Sequence, residues 1–185
     1  ALPISIATWR QTHMYRDVET LWRTTLAQNP KAWIAYNNLG LALADRGAYE
    51  EAERCCRAAI QLKPDYEEAF FNLAIVCTET GRYAESAAYS KEAIRYRPEF
   101  AQAYDNLGTA CVHLGRRDEA FASYSMAVKL NPADPISRFN LAATLAQLGK
   151  TREALQEFET AARLDPSNVQ IRQAVETLRA RQASR

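Results

Sequence analysis

The sequence has few of the residues that interrupt helices. Only six glycines and seven prolines occur among its 185 residues, which favours helices joined by short turns. Neither sign of charge is in excess, since 23 Lys and Arg oppose 22 Asp and Glu for a formal net charge of +1. This balance argues against a nucleic-acid-binding protein driven by attraction to phosphates. With 48% hydrophobic and 24% charged residues, the composition excludes a disordered or collagen-like chain.

Long hydrophobic runs are also lacking. No stretch reaches the roughly 20 apolar residues needed to span a bilayer. Residues 1–9 (ALPISIATW) are apolar but short, and no basic segment precedes them as it would in a signal peptide. Because the sequence does not begin with methionine, we expect it to be part of a longer or processed protein. Its compartment is therefore left open by the sequence.

Residues that perform catalysis or bind metals are scarce. The two histidines, His13 and His113, are far apart, and no HExxH, GxSxG, P-loop or GxGxxG string occurs. The four cysteines form no CxxC pair, which favours a reducing compartment, and we interpret Cys56, Cys77 and Cys111 as core thiols. We predict no active site, no metal site and no cofactor. The cysteines are Cys55, Cys56, Cys77 and Cys111.

Glycine and proline instead recur at a fixed interval. Glycines stand at positions 47, 81, 115 and 149, and prolines at 30, 64, 98, 132 and 166, with the same interval in both series. Four asparagines followed by leucine recur in the same phase. Such a period indicates a repeat architecture. The asparagines are Asn38, Asn72, Asn106 and Asn140.

Each repeat unit is predicted to contain two helices. In the first helix of the first unit, Tyr36, Leu39 and Leu43 follow the spacing of one buried helical stripe. Gly47 is placed where a left-handed residue closes a helix, and Pro64 is placed where the second helix must stop. Small residues on the two helices, such as Gly40 and Ala52, allow the helices to approach closely.

These features resemble the tetratricopeptide repeat, a family of 34-residue helix–turn–helix units. The third unit carries its pattern at Tyr104, Leu107, Gly108, Ala120, Tyr124, Ala127 and Pro132. The resemblance implies an all-α fold, a right-handed superhelical solenoid of antiparallel helix pairs with a concave groove. We predict a degenerate leading repeat at 1–32, repeats at 33–66, 67–100, 101–134 and 135–168, and a C-terminal capping helix at 169–185.

The asparagine column is the strongest functional signal. If the first helices line the groove, each amide could donate to and accept from the backbone of an extended peptide. The column resembles the asparagine ladder in the repeats of O-linked N-acetylglucosamine transferase. The alternative is that each asparagine forms a hydrogen bond between neighbouring helices.

Residues one position before the asparagines are also predicted to face the groove. Phe71 and Phe139 would be exposed aromatic anchors for a ligand, or would pack against an adjacent repeat. Asn37 and Asp105 occupy the same phase and join the predicted peptide-binding residues. Because no pair of basic residues occupies the groove positions, the clamp that some family members use for chaperone C-termini is disfavoured.

The N-terminal segment carries a second resemblance. It is similar to the segment after the last membrane span in multi-spanning glycosyltransferase-like proteins that contain these repeats, including O-mannosyltransferases. The residues that carry this similarity are Thr8-Trp9-Arg10, Tyr15-Arg16-Asp17 and Glu19-Thr20-Leu21-Trp22. This resemblance implies a soluble accessory domain on the extracytoplasmic face, tethered through a segment preceding Ala1.

Three hypotheses of function follow. The first is a non-catalytic protein–protein interaction module that binds an extended peptide or a partner helix, with a partner of unknown identity. The second is the accessory domain of a membrane glycosyltransferase. The third is a scaffold that self-associates as a homo-oligomer. We expect no nucleic-acid partner. The location stays open between the cytoplasm and, if the membrane-protein resemblance holds, the extracytoplasmic face of a membrane.

Overall fold

The computed structural model describes residues 18–183, and these form ten helices and no strands. The leading-repeat prediction for residues 1–17 lies outside the described residues. In chain order the helices are α1 (18–28), α2 (Trp33–Asp45), α3 (Tyr49–Leu62), α4 (Glu67–Glu79), α5 (Tyr83–Tyr96), α6 (Ala101–His113), α7 (Arg117–Leu130), α8 (Pro135–Gln147), α9 (Thr151–Leu164) and α10 (Val169–Ala183).

Each of the even-numbered helices α2 to α8 is followed by a glycine in the left-handed conformation. Gly47 has a φ of +78°, which a residue with a Cβ adopts only with strain. The Gly47 amide donates to the Ala44 carbonyl, and the Ala48 amide donates to the Leu43 carbonyl, both at 2.9 Å. These two bonds satisfy carbonyls at the end of α2 and turn the chain back along it.

The helices that follow these turns end before prolines. Helix α3 ends at Leu62, and Lys63 is extended, with φ −140° and ψ 91°. The ring of Pro64 disfavours the helical conformation for the residue before it, so the chain leaves the helix there. The repeated glycine and proline therefore set the lengths of both helices in each pair.

The chain divides into two compact units, the first ending at Tyr96 and the second beginning at Arg97. In the first unit, α2 packs on α3, α4 packs on α5, and α3 also contacts α4. Its core contains the fully buried Leu43 and Val76, against which Trp22 of α1 packs. A second cluster joins Tyr66 and Ala69 to the half-buried Trp33.

The second unit repeats this arrangement with α6 on α7 and α8 on α9. The closest approach is at Gly108, where an added Cβ would lie 2.7 Å from the ring of Tyr124. Only glycine fits there without displacing the ring. Helix α10 covers α9 through Ile171, Val175 and Leu178, which are all buried.

Candidate functional site

In the first unit, one asparagine of the column joins two first helices. Asn72 of α4 donates from Nδ2 to Oδ1 of Asn37 on α2 at 2.8 Å. Asn37 in turn donates from its Nδ2 to the Tyr66 hydroxyl at 3.3 Å, and that hydroxyl donates to Glu68 at 2.6 Å. Asn37 is 2% exposed and Asn72 is 7% exposed. Both amides therefore belong largely to the packing between repeats.

In the second unit, Asp105 of α6 occupies the same phase as Asn37. The side chain of Asn140 on α8 acts to lower the pKa of Asp105, but Oδ1 of Asp105 is buried without a hydrogen-bond partner among the described residues. Asp105 also contacts the hydroxyl of Ser137, which contacts Asp134, the N-cap of α8. Burial raises the pKa of Asp105, and the hydrogen bond from Ser137 opposes that shift.

The hydrogen bond between Asn72 and Asn37 favours the structural alternative for Asn72. It joins the asparagine of α4 to the residue that precedes the corresponding asparagine of α2. Asn38 and Asn106 are half-buried and keep part of their side chains accessible. The peptide-binding role of the column stays a prediction, and Asn140 is half-buried like Asn38 and Asn106.

The predicted aromatic anchors are less exposed than expected. Phe71 and Phe139 are both half-buried rather than exposed. Phe139 packs edge-on against the buried Phe158 of α9, with ring centroids 5.4 Å apart. At Phe139 the large side chain at position 158 provides a packing surface. The role of Phe71 and Phe139 as anchors for a ligand stays a prediction.

An open groove lies beside the first helices of the first unit. It encloses about 270 Å³ and is lined by residues of α2, α4 and the start of α3. Leu41 is 41% exposed. The carboxylates of Asp45 and Glu79 also line the groove. The other lining residues are Ala44, Tyr49, Asn72 and Ile75.

Sequence reasoning did not identify the two carboxylates. Asp45 and Glu79 occupy the same position in successive repeats and are the final residues of α2 and α4. The corresponding residues of the later repeats are His113 and Gln147. A comparison of that repeat position along the chain would have found an acidic pair confined to the first two repeats.

Cys56, Cys77 and Cys111 are buried, as predicted, and Cys55 is buried as well. All four are free thiols. Burial raises the pKa of Cys56 to about 12 and that of Cys77 to about 11. Among the described residues, no group of three or more His, Cys, Asp or Glu side chains could hold a metal ion. Between residues 18 and 183, no helix has both the length and the apolar character to cross a membrane.

Known protein families were compared with the sequence, and one of them matches its repeats. Models of the tetratricopeptide repeat match residues 33–66, 78–135 and 135–168. The chain belongs to the tetratricopeptide repeat family. The resemblance of the N-terminal segment to a membrane-protein junction stays a prediction, and most of that segment lies outside the described residues.

Solved tetratricopeptide repeat proteins share the fold. YrrB, described as having an unusual peptide-binding site, has a TM-score of 0.75 and 24% identity, over 89% of this chain and 84% of YrrB. MamA has a TM-score of 0.74 and 18% identity, over 89% of this chain and 97% of MamA. TTC0263 of Thermus thermophilus has a TM-score of 0.72 and 22% identity, over 93% of this chain and 94% of TTC0263. A search of curated proteins finds no match.

Proposed function

We propose that this tetratricopeptide repeat chain is a non-catalytic interaction module that binds an extended peptide of a protein partner. The peptide lies against the first helices of the repeats. Membership of the family and the fold shared with YrrB, a protein with a peptide-binding site, support this proposal. The observation that carries it is the open groove lined by Leu41 and Ile75 in the first unit.

The groove suits a peptide side chain because it offers accessible apolar surface beside polar groups. Leu41 is 41% exposed, so covering it removes apolar surface from water. Small ligand sites in general combine an apolar lining with a few polar groups that orient the ligand. Asn38 and Asn106 remain candidates for main-chain pairing, with the peptide backbone as their partner.

The test is selection from a random dodecapeptide library displayed on phage, followed by fluorescence anisotropy with the selected peptides. Replacing Leu41 with serine removes the apolar contact from the groove. Burying a Leu side chain is worth about 1.5–3 kcal/mol, and part of Leu41 is already covered, so we expect a roughly tenfold weaker Kd.

Leu62 provides a matched control for this substitution. It is 40% exposed, nearly the same as Leu41, but lies at the end of α3 and does not line the groove. Leu62→Ser should leave the Kd unchanged, and thermal unfolding should show that both variants are folded. Failure to select any peptide, or equal affinities for the two variants, would contradict the proposal.

A further inference from the structure

The two first helices that line the groove of the first unit, α2 and α4, carry acidic residues without any basic ones. Neither α2 (WIAYNNLGLALAD) nor α4 (EEAFFNLAIVCTE) contains a lysine or arginine. Asp45 is the single charge on α2, and α4 carries Glu67, Glu68 and Glu79. The whole chain is nearly neutral, so these two helices concentrate negative charge that the overall composition does not reveal.

The positions of two of these carboxylates increase the negative potential. Asp45 and Glu79 are the final residues of α2 and α4, where the helix dipole is already negative. Neither last turn contains a basic residue, whereas the last turns of α5 and α7 contain Arg95 and Lys129. Within residues 18–183, neither Asp45 nor Glu79 is in an ion pair. Two helix ends therefore direct uncompensated negative charge to one place.

That place is the apolar groove. Both carboxylates line it together with the aliphatic side chains of Leu41 and Ile75. An acidic ligand group would be repelled, and a purely apolar one would leave the negative potential uncompensated. Lysine and arginine side chains combine an aliphatic stem with a cationic end, and they typically bury the stem while the charge stays near solvent.

We infer that the groove of the first unit takes a lysine or arginine side chain of the bound peptide, with its stem against Leu41 and Ile75 and its cation paired with Asp45 and Glu79. This rests on the proposed function, because it specifies the class of peptide. It is restricted to the first unit, since His113 and Gln147 replace the two carboxylates at the equivalent positions of the second.

The experiment compares peptides selected by three proteins from the same random dodecapeptide library. The first is the unaltered chain and the second is Asp45→Asn with Glu79→Gln, which keeps shape but removes both charges. The third is Glu50→Gln with Glu99→Gln, which removes the same number of charges at positions that do not line the groove. Thermal unfolding checks that all three chains are folded.

We expect the unaltered and control chains to enrich lysine or arginine at one peptide position, and the Asp45→Asn/Glu79→Gln chain to lose that enrichment. For a selected peptide, Kd should rise about tenfold in that variant, the sum expected of two exposed ion pairs. Replacing the enriched peptide residue with norleucine should raise Kd by the same factor. The protein and peptide changes together should raise Kd little more than either change alone.

The outcomes separate this inference from the proposed function. Selected peptides without a basic preference, or with a preference that survives Asp45→Asn/Glu79→Gln, would overturn the inference and leave peptide binding intact. Additive effects of the protein and peptide changes would also overturn it. If the unaltered chain selects no peptide at all, both proposals fail.

Discussion

Replacing Asn72 with alanine tests whether the asparagine column holds the repeats together. The substitution removes the 2.8 Å hydrogen bond to Asn37, which is 2% exposed. Oδ1 of Asn37 then loses the donor that it has in the folded chain. A buried polar group without its partner costs about 1–3 kcal/mol. In a protein of this length each kcal/mol lowers Tm by roughly 2–4 °C, so we expect a fall of about 2–12 °C.

Asn38→Ala is the matched control, because Asn38 has the same repeat position and only a 3.4 Å contact with Asn37. Tm followed by circular dichroism should fall clearly for Asn72→Ala and little for Asn38→Ala. A double-mutant cycle with Asn37→Ala should show a coupling of about 1 kcal/mol. The reasoning is refuted if Asn72→Ala keeps the Tm of the unaltered chain and weakens only peptide binding, because the amide would then serve the ligand.

Three further predictions concern buried groups. The pKa of Asp105 is higher in the folded chain than in the unfolded chain, so the folded state keeps this proton to higher pH. The stability of the folded chain therefore falls as pH rises above the ordinary carboxyl pKa. Asp105→Asn should thus be more stable than the unaltered chain at pH 7 but not at pH 3, and equal gains at both would contradict this. Gly108→Ala should lower the free energy of unfolding by about 1–3 kcal/mol, and by less in a Tyr124→Ser background. Equal decreases in the two backgrounds would exclude a clash between the added Cβ and the Tyr124 ring. Because burial raises the pKa of Cys56 to about 12, its thiol should react with iodoacetamide only after denaturation; rapid native labelling, found by mass spectrometry, would disprove this.

The helix pairs could be predicted from the sequence because their ends are set by local chemistry. Gly47 closes α2 through its left-handed backbone, and Pro64 prevents α3 from continuing, whatever surrounds them. The regular recurrence of both residues extends this local rule along the chain. Burial of Cys56, Cys77 and Cys111 could be predicted for the same reason, since the repeat phase places them on inward faces.

The site was harder to predict because it depends on contacts between side chains about one repeat apart. Asn72 reaches Asn37, which is a neighbour only once the register of α4 against α2 is known. Phe139 is half-buried because Phe158 of the next helix is large enough to pack against its ring. Periodicity predicted a groove-facing phase for Phe139 but not the size of its neighbour.

Arg138 shows how a departure from the family pattern is accommodated. It replaces the aromatic residue of the fourth repeat. Its guanidinium pairs with Glu157 at 2.6 Å and donates from Nε to the Pro132 carbonyl at 2.8 Å. Only 16% of its side chain is exposed. The sequence showed the substitution, but the ion pair that compensates it required the packing of α8 on α9.

The most direct test of the central claim is a two-dimensional NMR titration of the ¹⁵N-labelled chain with a selected peptide. The account predicts that the amide signals of Leu41 and Ile75 shift with peptide concentration, while that of Leu62 stays in place. Shifts confined to Leu62 and the exposed face of α3, with Leu41 and Ile75 unchanged, would contradict it.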